Sequence, residues 1–132
     1  MSVNVGMVVE QMWQPVPGGS GRYIVEVAAR LADVLIVTDE NPRSEDPQSI
    51  RDAVLAGVRS VRPDLADVEE ITTRRGDAVR RGVEICGPED TVIVTGKGHE
   101  PFQEVAGEFI RYNDAPVMRE AAEAAWGPVT PA

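Results

Sequence analysis

At 132 residues the chain suits a single domain, and that length can bury a core without disulfides or metals to hold it. Its 22 acidic residues against 13 basic ones give a net charge of −9, which argues against a nucleic-acid partner, because neutralising phosphates needs an excess of Lys and Arg. The one cysteine, Cys86, excludes an internal disulfide and a cysteine-built zinc cluster, and it is expected to serve as a small buried apolar group.

In chain order, residues 3–9 are expected to form an opening strand, followed by an atypical Pro/Gly-rich loop over residues 10–22. Ile24, Val27, Ala28 and Leu31 recur at helical spacing and predict a helix over residues 24–32. Val34-Leu35-Ile36-Val37-Thr38 is apolar on consecutive residues, the pattern of a strand buried on both faces. A helix over residues 47–61 follows, with Ile50, Val54, Leu55 and Val58 on one face. Its start is marked by Asp46 as a cap and Pro47 in the first turn. Residues 68–71 read as a short strand, and residues 77–86 as a helix with Ala78, Val79, Val83 and Cys86 along its apolar stripe. Thr91-Val92-Ile93-Val94-Thr95 repeats the pattern of a strand buried on both faces. Residues 102–106 and 108–112 flank Gly107 as a hairpin, residues 116–125 form a last helix, and the tail after Trp126 is irregular.

Strand and helix alternate, which predicts an α/β fold: an open, mainly parallel sheet with helices on both faces and a C-terminal β-hairpin. Ligands of such sheets gather at the carboxyl ends of the strands. The start of the chain has no basic stretch leading into a long apolar one, and no apolar run approaches a membrane span. The expectation is a cytoplasmic protein without a membrane partner.

Both consecutive-apolar strands run into unusual polar segments. The first is Thr38-Asp39-Glu40-Asn41-Pro42-Arg43-Ser44-Glu45-Asp46-Pro47. Pro42 keeps Asn41 out of the helical region, so the chain stays extended before it turns. Arg43 then has two readings from its chemistry: a planar fork for a ligand carboxylate, or a surface ion pair with Glu45 or Asp46. The second segment is Gly96-Lys97-Gly98-His99-Glu100. Its glycines allow close approach of backbone to a ligand, Lys97 suits an anion, Glu100 a cationic amine, and His99 could orient either. The plain alternative is a turn between strand and hairpin with one satisfied histidine. Neither Gly18 to Arg22 nor Gly96 to His99 has the spacing of a Walker loop. One histidine and no acidic cluster at ligand spacing predict no metal site, and nothing selects a Ser/His/Asp set, so no catalytic residue is assigned.

Taken together, the residues 39–47 and 96–100, with Ala32-Asp33 before the first strand and Arg74-Arg75 before the third helix, resemble the C-terminal domain of the ATP-dependent Mur ligases. They are most similar to the members that join meso-diaminopimelate to UDP-N-acetylmuramoyl-L-alanyl-D-glutamate in peptidoglycan synthesis. The resemblance runs from about residue 26 to residue 123 and implies a Rossmann-like domain that closes over a central ATPase domain. It implies that Asn41 and Arg43 hold the distal carboxylate of diaminopimelate, and that Gly96 and Glu100 contact its distal amino end. Asp39, Lys97, His99 and Arg22 follow as weaker members of that set. ATP and Mg²⁺ enter through the same resemblance and would be bound mainly by domains this chain does not carry. The expectation is therefore a ligase domain inactive alone that supplies the amino-acid site, working with a separate ATPase domain. The alternatives are a non-catalytic module for diaminopimelate or a muropeptide, and a degenerate interaction domain. Two stretches depart from the family pattern. Residues 10–22 stand where the family has a Gly-Gly-Asp-Arg-Asp-type loop, and Tyr112-Asn113-Asp114-Ala115 stands where it has a Phe-Asp-Asp-Arg-like segment.

Overall fold

The computed structural model describes residues 5–9, 19–97 and 100–128, with the backbone alone described at residues 5–9 and 19–24. Six strands and four helices follow in the order β1 (Val5–Val9), α1 (Gly19–Leu31), β2 (Val34–Val37), α2 (Pro47–Arg59), β3 (Val68–Glu70), α3 (Arg75–Glu84), β4 (Thr91–Val94), β5 (Phe102–Val105), β6 (Glu108–Arg111) and α4 (Asp114–Trp126). β1 to β4 form one parallel sheet in the order β3-β2-β1-β4, and β5 and β6 pair as a separate antiparallel ribbon.

The alternating residues of β2 explain why its sequence is apolar throughout. Leu35 and Val37 pack with Val25, Ala28 and Ala29 of α1 and with Val54 and Val58 of α2. Ile36 packs on the other face with Ala78 of α3, together with Val34 and Val94. A parallel strand covered on both faces has no side left for polar residues. α2 matches its expected start: Asp46 accepts a hydrogen bond from the Gln48 amide and Pro47 sits in the first turn. At the far end of α1, Arg62 donates to the carbonyls of Ala29 and Ala32, satisfying acceptors that a helix terminus leaves open.

Four expectations need correction. α1 begins at Gly19, so residues 19–22 of the expected loop are helical, and residues 10–18 lie outside the described residues. Gly19 and Gly21 are poor helix formers, but packing of α1 against α2 outweighs that preference. α3 begins at Arg75, two residues early, because the Arg75 side chain is itself buried in the first turn. α4 begins at Asp114, because Asn113 caps it and Pro116 falls within the first turn, where its missing N–H costs no hydrogen bond.

The fourth concerns β4, which was expected to be buried on both faces but lies at the sheet edge with Ile93 40% exposed. The register aligns Ile93 with Met7 and Leu35, hence with the face that α1 and α2 cover at β1 and β2. That cover ends short of β4 among the described residues. Val92 and Val94 point to the other face, toward α3, and are half-buried. Cys86 is buried as expected, and burial raises its thiol pKa, which leaves the group as an unreactive thiol. No helix among the described residues is long and apolar enough to cross a membrane.

Candidate functional site

The carboxyl ends of β2 and β4 carry the two polar segments, and the β5–β6 hairpin joins them. Arg43 forms an isolated bridge to β5: its amide donates to the Glu104 carbonyl at 2.7 Å, and its carbonyl accepts from the Ala106 amide at 2.9 Å. The Asn41 side-chain oxygen accepts from the Glu104 amide at 2.7 Å. Gln103, buried, donates its side-chain amide to the Glu40 carbonyl. Residues 40–43 are thus laid alongside β5 almost as an added strand. The turn between β5 and β6 consists of Ala106 and Gly107, both at positive φ (51° and 82°), the requirement of a type I′ turn.

Arg43 itself has φ 55°, a left-handed conformation uncommon for a side chain of its size. The two backbone bonds to β5 hold it there. Such strain is tolerated where surrounding structure over-determines the backbone, and it is concentrated at functional sites. Gly96 ends the second strand segment with φ 108°, a conformation open to glycine and poorly suited to other residues.

Asn41, Arg43 and Glu100 line one cleft of about 240 Å³. Phe102, Glu104 and Phe109 of the hairpin complete its walls. Three of the four residues expected to bind a ligand therefore meet in one place, from segments almost 60 residues apart in the chain. The fourth, Gly96, does not line the cleft.

The weaker candidates divide differently. Asp39 pairs with Arg51, whose guanidinium also binds Glu70, so its carboxylate is engaged inside the fold. Lys97 does not face the cleft. It is 2% exposed, donates its ammonium to the Phe102 carbonyl, and lies 5.9 Å from the centre of the Tyr112 ring. Burial pushes its pKa below the usual lysine range. Its position fastens the start of the hairpin to the end of β4. The Arg22 side chain and all of His99 lie outside the described residues.

A buried arginine fixes the two segments relative to one another. Arg75, 2% exposed, forks onto Asp114 with both bonds at 2.8 Å, Nε to Oδ1 and Nη2 to Oδ2. The same guanidinium donates to the Thr95 carbonyl at 2.9 Å and the Asp39 carbonyl at 3.3 Å. One side chain therefore ties together the ends of β2 and β4 and the first turn of α4. The sequence named Arg75 only as part of the family resemblance, and Asp114 only within a segment that departs from the family pattern. A pair 39 residues apart leaves no local spacing signal. Nor did the sequence single out Phe102, Glu104 and Phe109, which line the cleft, or Gln103, which anchors β5 to Glu40. The signal available for Phe102 and Phe109 was their outward position on a short polar hairpin.

Beside this network, the Tyr112 hydroxyl is buried without a hydrogen-bond partner among the described residues. Each Asp114 oxygen nearby accepts from Arg75, and the phenol lies close enough to feel that carboxylate without reaching hydrogen-bond geometry. Burial, and then the Asp114 charge, raise the Tyr112 pKa above its ordinary value of 10.0. A tyrosine whose folded pKa is raised keeps a proton that the unfolded chain releases, so its contribution is intact below pH 10 and is lost as pH climbs further. Tyr112→Phe is expected to stabilise the domain by about 1 kcal/mol at neutral pH, since it removes an unsatisfied buried group. It should also reduce the loss of stability above pH 10. Lys97, with its lowered pKa, acts in the opposite sense below pH 10.5 and is common to both chains, so the difference between their urea midpoints isolates the phenol. A less stable variant with an unchanged alkaline profile would refute this account.

Comparison with known proteins bears on the family and the fold. The family model described as "Mur ligase, glutamate ligase domain" matches residues 6–98. The chain is similar to UDP-N-acetylmuramoyl-L-alanyl-D-glutamate–2,6-diaminopimelate ligases: 47% identical over 96 residues to that of Chelativorans sp. (strain BNC1), covering 73% of this chain and 18% of the relative. With the enzyme of Pseudomonas putida (strain KT2440) it shares 42% identity over 108 residues, covering 82% of this chain and 21% of the relative. A solved structure of a ligase of the same name superimposes with a TM-score of 0.73 at 28% identity, covering 93% of this chain and 24% of that one. The chain thus spans about a fifth of the length of these relatives. On the match over more than half its length, the chain belongs to the Mur ligase family, through the part that the model describes as the glutamate ligase domain.

Proposed function

We propose that this chain supplies the amino-acid site of an ATP-dependent ligase that adds meso-diaminopimelate to a peptidoglycan precursor in the cytoplasm. The observation that carries this reading is the meeting of Asn41, Arg43 and Glu100 in one cleft at the carboxyl ends of a Rossmann-like parallel sheet. The far end of diaminopimelate is a zwitterion, with a carboxylate and an ammonium on one carbon. Arg43 offers a fork for the carboxylate, with Asn41 beside it, and Glu100 offers a negative charge for the ammonium. Held by that end, the molecule leaves its other amine free to attack an activated carboxyl group.

Activation of that carboxyl group with ATP and Mg²⁺ is assigned to the parts of the longer relatives that this chain does not span. Among the described residues no cluster of His, Cys, Asp or Glu is arranged to hold a metal ion, and the sequence has no Walker loop. The nucleotide chemistry is assigned to an ATPase domain that would close over this cleft, and the chain is expected to form no amide bond alone. A diaminopimelate-binding module without ligase chemistry is the second reading, favoured by residues 10–22, which lack the aspartates of the family's loop.

Calorimetric titration of the chain with meso-diaminopimelate, with L-lysine as control, tests the site. Lysine has the amine but no carboxylate at its far end for Arg43. Saturable binding of diaminopimelate with none of lysine is the expected result. Equal binding of both would overturn the role of Arg43, and no binding of either would overturn the proposal that the cleft is a formed site in this chain.

A further inference from the structure

Phe109 is 71% exposed and Phe102 is 46% exposed, yet both sit in the cleft beside Arg43 and Glu100. The hairpin register explains their meeting. Phe102 pairs with Arg111 and Glu104 with Phe109, so side-chain alternation puts Phe102, Glu104, Phe109 and Arg111 on one face of the ribbon. Phe102 and Phe109 are then diagonal cross-strand neighbours, a separation that aromatic side chains can span. Gln103, on the opposite face, is buried against the Glu40 backbone, which fixes which face of β5 turns to the cleft. The backbone bonds of Arg43 to β5, and the bond from the Glu104 amide to the Asn41 side-chain oxygen, carry the polar groups of the cleft on the same support.

Exposed phenyl rings beside charged groups fit a ligand with a charged end and an apolar middle. We propose that Phe102 and Phe109 form the wall that holds the methylene spacer of the diamino acid, and that Phe109 sets the spacer length the cleft prefers. This rests on the reading of the cleft as an amino-acid site. Arg43 and Glu100 recognise the zwitterionic end at a fixed point, and the phenyl wall covers the next few carbons. A shorter chain held at the same end leaves part of that wall uncovered.

The test uses the whole chain and two probes: meso-diaminopimelate, with three methylenes between its amino-acid ends, and 2,5-diaminoadipate, with two. Calorimetry should show that wild type prefers diaminopimelate. Phe109→Ala should weaken its binding about tenfold, as expected for loss of a large apolar contact, and should narrow the preference between the probes. Phe109→Leu should restore part of both. The melting temperature of Phe109→Ala should stay close to wild type, since the ring is mostly exposed. Unchanged affinity and preference in Phe109→Ala, while wild type binds diaminopimelate, would overturn the spacer wall and leave the charged site standing. Absence of binding by wild type would overturn the site and the wall together.

Discussion

Arg75→Met should destabilise the domain by about 3–5 kcal/mol, the range for breaking a buried ion pair from one side. The size follows from what is left behind. Asp114 is 7% exposed and would lose both arms of its partner, leaving a nearly buried carboxylate without its counter-charge. The Thr95 and Asp39 carbonyls would lose a donor as well. Methionine fills much of the volume, so the effect measures the orphaned groups more than a cavity. Urea denaturation should show a lower midpoint with an unchanged slope. Arg81→Met gives the contrast: its bonds to Glu69 at 3.0 and 3.2 Å look similar, but both side chains are at least a third exposed and screened by solvent, so a much smaller shift of the midpoint is expected. Equal effects at the two positions would refute the account of Arg75 as the buried tie.

The location of Arg75 links stability to the site. Asp39 opens the segment that carries Asn41 and Arg43, and Thr95 precedes Gly96 and the segment that carries Glu100. A guanidinium bound to both backbones holds two loops at one separation without touching a ligand. Lys97 acts likewise from the other side, because its ammonium reaches the Phe102 carbonyl at the foot of the hairpin. Two buried cations, Arg75 and Lys97, thus fix the backbone around the cleft that Asn41, Arg43 and Glu100 line.

Much of this was legible in the chain. β2, α2 and the helix stripe of Ala78, Val79 and Val83 follow from local patterns, because burial by a neighbouring layer imposes a fixed period. That Asn41, Arg43 and Glu100 come together was also readable, since polar segments directly after strands emerge at one edge of such a sheet. The rest depended on tertiary choices that local pattern does not encode. The strand pattern of Thr91 to Val94 matches that of β2, but only the strand order shows that β4 is an edge and Ile93 is left uncovered. Lys97 lies between glycines in a polar loop and still turns inward, because the hairpin brings the Phe102 carbonyl and the Tyr112 ring to it. The Arg75–Asp114 pair depends on α4 returning beside α3, a packing decided far from either residue in sequence.

Arg43→Ala should lower affinity for meso-diaminopimelate at least about thirtyfold, the lower end for removing one member of a hydrogen-bonded charge pair, and leave the response to lysine unchanged. The backbone separates this effect from a structural one. Arg43 is held at φ 55° by its amide and carbonyl bonds to β5, which every substitution except proline retains. Alanine keeps the strain of that conformation, and glycine relieves about 1 kcal/mol of it. Arg43→Gly should therefore fold at least as well as wild type and lose diaminopimelate as fully as Arg43→Ala. Arg43→Lys should recover little, because one ammonium cannot reproduce a planar fork on a carboxylate. Calorimetry paired with thermal melts on the three variants reads both properties. If Arg43→Gly binds diaminopimelate as wild type does, the guanidinium is not the carboxylate's partner; if it binds weakly and also melts early, the residue's main role is to hold the hairpin.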